Sequence, residues 1–282
     1  MSQVWSFFAF NITEIFLMAN LTVLAAKPKI AIHKFSSCDG CQLAFLNLGT
    51  KFLELMEWVE VVNFIEAGIA APHAKVDIAF VEGSVSTQAE LDHITQIRED
   101  SKFLIAMGAC ATAGGIQALR NVGKLHAWTQ SVYAQPEYIA SLETATPLSK
   151  HVRVDLELWG CPINSYQLLS TIRAFLYGVM PAQEHDKLCL ECKRKNTVCV
   201  MVAKGLPCMG PVTHTGCGSI CPSVGRDCYA CYGPAENCNT PAFTERLRQL
   251  GLDDTAIAQR FLFINNATPT FAAAGNALEN PA

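Results

Sequence analysis

Charge is scarce in this chain. Only 16% of its 282 residues are Asp, Glu, Lys or Arg, the formal net charge is −4, and there is no long basic run. Without massed cations it has little with which to neutralise a phosphate backbone, which argues against general nucleic-acid binding. No GxGxxG fingerprint occurs, so no dinucleotide-binding turn is expected. No repeat of solenoid length occurs either. Lys and Arg are absent before Lys27, which leaves the opening stretch without the positive n-region of a secretory signal or the paired arginines of a twin-arginine signal. That stretch is apolar (Trp5, Phe7, Phe8, Phe10, Ile15, Phe16, Leu17) but is broken by Asn11, Thr13, Glu14 and Asn20, which argues against a spanning helix. Residues 1–26 are expected to be an extension: an over-long start ahead of Met18, an unstructured segment, or a docking helix for a partner. No other apolar run approaches the length of a membrane span. With 50% hydrophobic residues, disorder is excluded and a sizeable core is expected, in one large domain or two ordinary ones.

Cysteine, in contrast, is abundant. Thirteen are present, four before residue 188 and nine between Cys189 and Cys238. An odd, clustered set in a chain of this length does not suit a secreted disulfide scaffold, so cofactor ligation is the first expectation.

From Lys29 to about Val179 short apolar runs alternate with helical periods. The runs Lys29–His33, Val59–Phe64, Val76–Val81, Phe103–Met107 and Val154–Trp159 read as buried parallel strands. Between them, Gln42–Leu55 carries Leu43, Leu46, Leu53 and Leu55. Thr87–Glu99 starts after Ser86, a candidate cap, and Ser165–Val179 carries Leu168, Leu169, Ile172, Phe175 and Leu176. The expected fold class is α/β: a flavodoxin-like parallel sheet domain over 27–182, followed by a loop-rich domain with a few short helices over 183–282. From Cys189 to Cys238 Gly, Pro and Cys dominate and periodicity is lost, so something other than packing is expected to hold that segment. Helix signals return at Thr240-Pro241, read as a cap and first-turn proline before Phe243–Leu250, and at Asp253–Phe263. The last dozen or so residues are expected to be loose.

Cys38 and Cys41 form a CxxC between the first strand and first helix. Cys110 follows the fourth strand in Gly108-Ala109-Cys110, and Cys161 follows the fifth in Gly160-Cys161-Pro162. In a doubly wound sheet the strand carboxyl ends share one edge, so four thiolates are expected in one place, as a 4Fe-4S cluster requires. Thioredoxin-like chemistry would leave Cys110 and Cys161 unexplained, and structural zinc prefers two local knuckles. In the second region the economical split is Cys189, Cys192, Cys199 and Cys208 for one cluster and Cys217, Cys221, Cys228 and Cys231 for another. Cys238 is the spare, with its exchange for Cys221 left open. Zinc competes here, but three cluster-sized sets argue for an electron wire. His185, four residues before Cys189, reads as a surface residue rather than a ligand. Glu82, after the third strand, is either a proton carrier or partner-orienting group at the sheet edge or a solvated carboxylate. Lys193-Arg194-Lys195 reads as a solvated face or a docking patch for an electron acceptor.

These residues resemble a known family. Ser37-Cys38-Asp39-Gly40-Cys41-Gln42, Glu82-Gly83, Gly108-Ala109-Cys110 and Gly160-Cys161-Pro162 look like the small subunit of NiFe hydrogenases. The run from Cys189-Leu190-Glu191-Cys192 through Pro207-Cys208-Met209-Gly210-Pro211 to Cys228-Tyr229-Ala230-Cys231-Tyr232-Gly233-Pro234 resembles the delta subunit of the cytosolic, NAD(P)-linked sulfhydrogenase branch. The resemblance implies three 4Fe-4S clusters: proximal on Cys38, Cys41, Cys110 and Cys161, distal on the Cys189 set, medial on the Cys217 set. Cys189 stands where the membrane-bound branch has a His, and Cys221 supplies a fourth medial ligand. The large-subunit motifs Arg-x-Cys-Gly-x-Cys and Asp-Pro-Cys-x-x-Cys are absent, so the resemblance implies no catalytic residue here. Hydrogen would be split in a partner NiFe large subunit, and electrons would pass to iron–sulfur and flavin diaphorase subunits that reduce NAD(P). A cytoplasmic place and no membrane partner are implied. The alternatives are a homologous subunit of another cytosolic redox complex, methyl-viologen- or heterodisulfide-linked, and a zinc scaffold without redox chemistry.

Overall fold

A computed structural model describes residues 27–182 and 186–279 of the chain. The expected extension over 1–26 and His185 lie outside the described residues. Five strands, β1 (Lys29–Lys34), β2 (Glu60–Phe64), β3 (Val76–Glu82), β4 (Ser101–Met107) and β5 (Leu156–Leu158), pair in parallel in the order β2-β1-β3-β4-β5. This is the expected doubly wound order, and it puts the switch point between β1 and β3. The strands form because their apolar residues are buried on both faces. Ile30, Ile32, Ile78, Phe80 and Ile105 pack under the helices Gly40–Leu46, Thr50–Trp58 and Ser165–Leu176. Ala31, Ala79, Val81 and Leu104 pack on the other face under Ile94 and Ile97 of helix Gln88–Asp100.

The first helix differs from expectation. Gly49, at φ 58, breaks Gln42–Leu55 into Gly40–Leu46 and Thr50–Trp58. The buried stripe is Ala44, Phe45, Leu48, Phe52 and Leu55, whereas Leu43, Leu46 and Leu53 are exposed. The buried positions keep a helical spacing across the break, so Ala44, Phe45 and Phe52 rather than the leucines Leu43, Leu46 and Leu53 mark the core face. Thr87, not Ser86, caps helix Gln88–Asp100, because its hydroxyl and Glu90 form a reciprocal capping box. Helix Ser165–Leu176 stops short of Val179 and is capped by Asn164.

The second region does have a packed core. Leu188, Val200, Met209 and Val212 are buried against Phe243, Leu247, Ile257, Phe261 and Phe271 from the tail helices Thr240–Gln249, Asp254–Phe261 and Pro269–Glu279. Packing therefore shares the work that composition assigns to ligands alone. Asn239, rather than Thr240, caps the first tail helix, and Asp253 caps the second. The tail is not loose over 269–279: Phe271 is fully buried and packs against Phe261 in a tilted ring pair with centroids 5.6 Å apart. Burial of one such ring is worth about 1.5–3 kcal/mol, enough to fix a helix that composition alone makes look weak.

Candidate functional site

The first four thiols come from three segments at the carboxyl edge of the sheet. Cys38 lies in the loop after β1 and is exposed; Cys41 is buried in the first turn of Gly40–Leu46. Cys110 sits in the short helix Gly108–Ala113, directly after β4, and Cys161 follows β5. The Ala109 N–H donates to the Gly160 carbonyl at 2.7 Å, tying the last two segments together. Gly108 has φ 85, and a Cβ there would stand 2.3 Å from Cys41 Sγ. Only glycine allows that approach, so the first and second segments meet across a missing side chain. The four thiols act on one another: Cys110 and Cys161 raise Cys41, and Cys38 and Cys161 raise Cys110. Burial is the larger cause in both, pushing the Cys110 thiol up to about 12. Burial so raises Cys41 and Cys110 that it favours their protonated form, and taking up a metal group there would release protons and remove the cost of isolated buried charge.

Glu82 is the last residue of β3 and is 2% exposed, which excludes the solvated reading. Its two carboxylate oxygens accept the N–H groups of Cys41 and Gln42, each at 3.1 Å. These are free donors of a helix start, supplied with a cap from another element. Burial raises the Glu82 pKa, and the two N–H groups oppose it.

The second region brings two groups together. Partial burial, and then Cys208, Cys192 and Cys199, push the half-buried Cys189 thiol up to about 11. A Cβ on Gly210 would lie 3.5 Å from Cys208 Sγ and 3.6 Å from Cys189 Sγ. Cys217 and Cys221 act on Cys231, which burial pushes up to about 12. Cys228 is buried beside Cys231 and Cys208, and its backbone N–H donates to Cys208 Sγ at 3.3 Å. Cys238 stands apart: its thiol donates to the Ala235 carbonyl at 2.7 Å and the Val212 carbonyl at 3.1 Å, and the charged group acting on it is Lys187.

Two positioning residues were not found from sequence. Glu191, inside the Cys189–Cys192 turn, accepts the N–H groups of Gly216 at 2.8 Å and Ser219 at 2.9 Å, fixing the backbone around Cys217. Arg260 of the tail donates to the Pro207 carbonyl at 2.8 Å and the Asp227 carboxylate at 2.5 Å, the residues just before Cys208 and Cys228. The only sequence signal for Glu191 was its place between two cysteines; Arg260 had none. Lys195 of the basic run donates to the Gly218 carbonyl, so it is partly structural.

Comparison with known proteins identifies the family. Residues 38–175 match the family described as the NADH ubiquinone oxidoreductase 20 kDa subunit, a span that contains the first four thiols. The chain is 35% identical over 232 residues to the sulfhydrogenase 2 subunit delta of Pyrococcus furiosus, covering 82% of this chain and 97% of that protein. The chain belongs to the hydrogenase delta subunit family. That relative's coverage extends the likeness beyond the sheet into the second region. Another relative, a component of the vhu F420-non-reducing hydrogenase of Methanocaldococcus jannaschii, is 30% identical over 240 residues, covering 74% of this chain and 82% of that protein. Among solved structures, a chain of an NAD+-reducing [NiFe]-hydrogenase superposes with a TM-score of 0.52 at 28% identity, over 56% of this chain and 95% of that one. As a delta subunit, the chain is a component of an oxidoreductase of the hydrogenase class. Among the described residues no helix is long and apolar enough to cross a membrane.

Proposed function

We propose that this delta subunit carries three 4Fe-4S clusters and conducts electrons between the NiFe site of a partner large subunit and a diaphorase module that reduces NAD(P), in the cytoplasm. The cysteine sets Cys38/Cys41/Cys110/Cys161, Cys217/Cys221/Cys228/Cys231 and Cys189/Cys192/Cys199/Cys208 would hold the clusters, which supply one-electron carriers of low potential when bound. The observation that carries this reading is the succession of contacts: Cys161 acts on Cys231, and Cys228 adjoins Cys208. Such a succession serves a relay; isolated structural sites have no need of it.

The donor chemistry fits the group. All thirteen cysteines are free thiols, which suits a reducing compartment. Among the described residues no three His, Cys, Asp or Glu side chains cluster tightly enough for one metal ion. The exposed Leu43, two residues from Cys41 on the same short helix, supports a large-subunit partner on that side. The diaphorase link draws support from the likeness to the NAD+-reducing [NiFe]-hydrogenase chain. The relative from Methanocaldococcus jannaschii favours a second reading, in which a different acceptor takes the electrons.

Iron and acid-labile sulfide per chain, measured on the anaerobically purified complex, test the proposal. About 12 iron atoms with coupled signals after dithionite reduction are expected. About four would leave only the first set filled, and colourless protein with bound zinc would refute the relay. Reduction of NAD(P) by hydrogen in the purified complex, and the chains that co-purify, decide between the two acceptors.

A further inference from the structure

Tyr232 is absent from the ligand sets, yet it occupies the place where two of them meet. It follows Cys231 directly, is 3% exposed, and its ring lies between two glycines that each precede a cysteine. A Cβ on Gly160, before Cys161, would stand 2.9 Å from Tyr232 Cζ; one on Gly216, before Cys217, would stand 2.8 Å from Cε1. The phenol O–H donates to the Pro162 carbonyl at 3.4 Å, one residue past Cys161. The ring is thus clamped between the backbone of the first set and that of the Cys217 set, and no side chain intervenes on either side. At the same junction the backbone N–H of Cys161 acts on the Cys231 sulfur. The other junction is built alike, with the Cys228 N–H on Cys208 Sγ.

We infer that Tyr232 seals the junction between the first set and the Cys217 set against water, so that an electron crosses there between Cys161 and Cys231 in a dry, fixed contact. The inference rests on the cluster reading above. In the step one electron leaves one set and enters the other; no bond forms or breaks, no proton moves, and the phenol is unchanged. Hydrogen oxidation in the partner subunit supplies the electron. The seal matters because each set gains negative charge on reduction. Water admitted beside it solvates the reduced state better and raises the potential. Movement of the clamp would also lengthen the contact.

The test uses the holo complex with Tyr232→Leu and Tyr232→Phe. Iron content, redox titration followed by EPR, and the spin coupling between sets are read beside hydrogen-to-dye electron flow. In Tyr232→Leu full iron is expected. The electron distribution between the two sets should change about tenfold, which is about 59 mV for one electron. The coupling signal should weaken and electron flow should slow. Tyr232→Phe keeps the ring and should hold the wild-type potentials and coupling. Should the Leu variant lose iron, Tyr232→His, a smaller polar ring that admits water, is read in its place with the same expectation. Full iron with unchanged potentials and unchanged coupling in Leu or His would overturn the seal, as would a Phe variant as perturbed as Leu. A wild-type complex without iron–sulfur signals would instead overturn the cluster reading beneath it.

Discussion

Gly108→Ala is the sharpest probe of the first set, because the structure separates its two costs. Gly108 holds φ 85, a left-handed conformation that costs an L-residue about 1–2 kcal/mol. Its new Cβ would also stand 2.3 Å from Cys41 Sγ and 3.4 Å from the Gly160 carbonyl, whereas ordinary contacts lie at about 3.5–4.0 Å. Relief requires Cys41 to rotate away or the segments to part, and overpacking of this kind costs about 1–3 kcal/mol more. Gly178→Ala supplies the control: it has φ 67 and nothing within 4 Å, so it carries the backbone cost alone. The expected stabilities, from urea denaturation, are a loss of about 1–2 kcal/mol for Gly178→Ala and about 2–5 kcal/mol for Gly108→Ala. Iron analysis is more decisive. Gly178→Ala should keep its full iron, and Gly108→Ala should lose about four atoms per chain, because a rotated Cys41 no longer reaches its set. Full iron in Gly108→Ala, with a stability equal to the control, would refute the argument that the missing side chain holds the segments in register.

Three further outcomes are expected. Cys238→Ser should leave iron content unchanged, since that thiol bonds two backbone carbonyls and meets no other cysteine among the groups acting on it; loss of one cluster's iron would reassign the Cys217 set. Glu191→Ala removes the acceptor of the Gly216 and Ser219 N–H groups and should cost roughly 3 kcal/mol, with selective loss of the EPR signal of the Cys217 set; an unchanged spectrum would deny it a positioning role. His33 is buried beside His93 and His73, and burial, then those two rings, lower its pKa from 6.5 to about 4. A depressed histidine pKa means that the folded state favours the neutral ring. Its stabilising share is full above 6.5 and is lost as pH falls towards about 4, a span worth about 3 kcal/mol. His33→Leu should flatten that part of the urea-midpoint profile between pH 6.5 and 4, and an identical slope in both proteins would exclude His33 as the cause.

Local pattern determined much of this protein. The five strand runs, their parallel order and the edge where ligands gather follow from short apolar segments separated by helical periods, because burial on both faces leaves a continuous signature in the chain. The thiol spacing likewise suggests the proposed sets without reference to coordinates, since CxxC turns are local, although it leaves Cys221 and Cys238 interchangeable. The tertiary structure decided what depends on distant residues meeting. Gly49 divided the first helix in two, and packing against the sheet put Ala44, Phe45 and Phe52 on the buried face in place of Leu43 and Leu53. Glu82, which the sequence left between a working site and a solvated loop, proved to be a buried cap on the Cys41 turn, and Glu191 and Arg260 brace backbones far from them in sequence. The tail became ordered because Phe271 found Phe261 and the second core, a contact between partners that no local composition reports. Tyr232 stands at the extreme of this division: its sequence neighbours show only that it follows a cysteine, and its place between Gly160 and Gly216 exists only once both cysteine-bearing segments have folded around it.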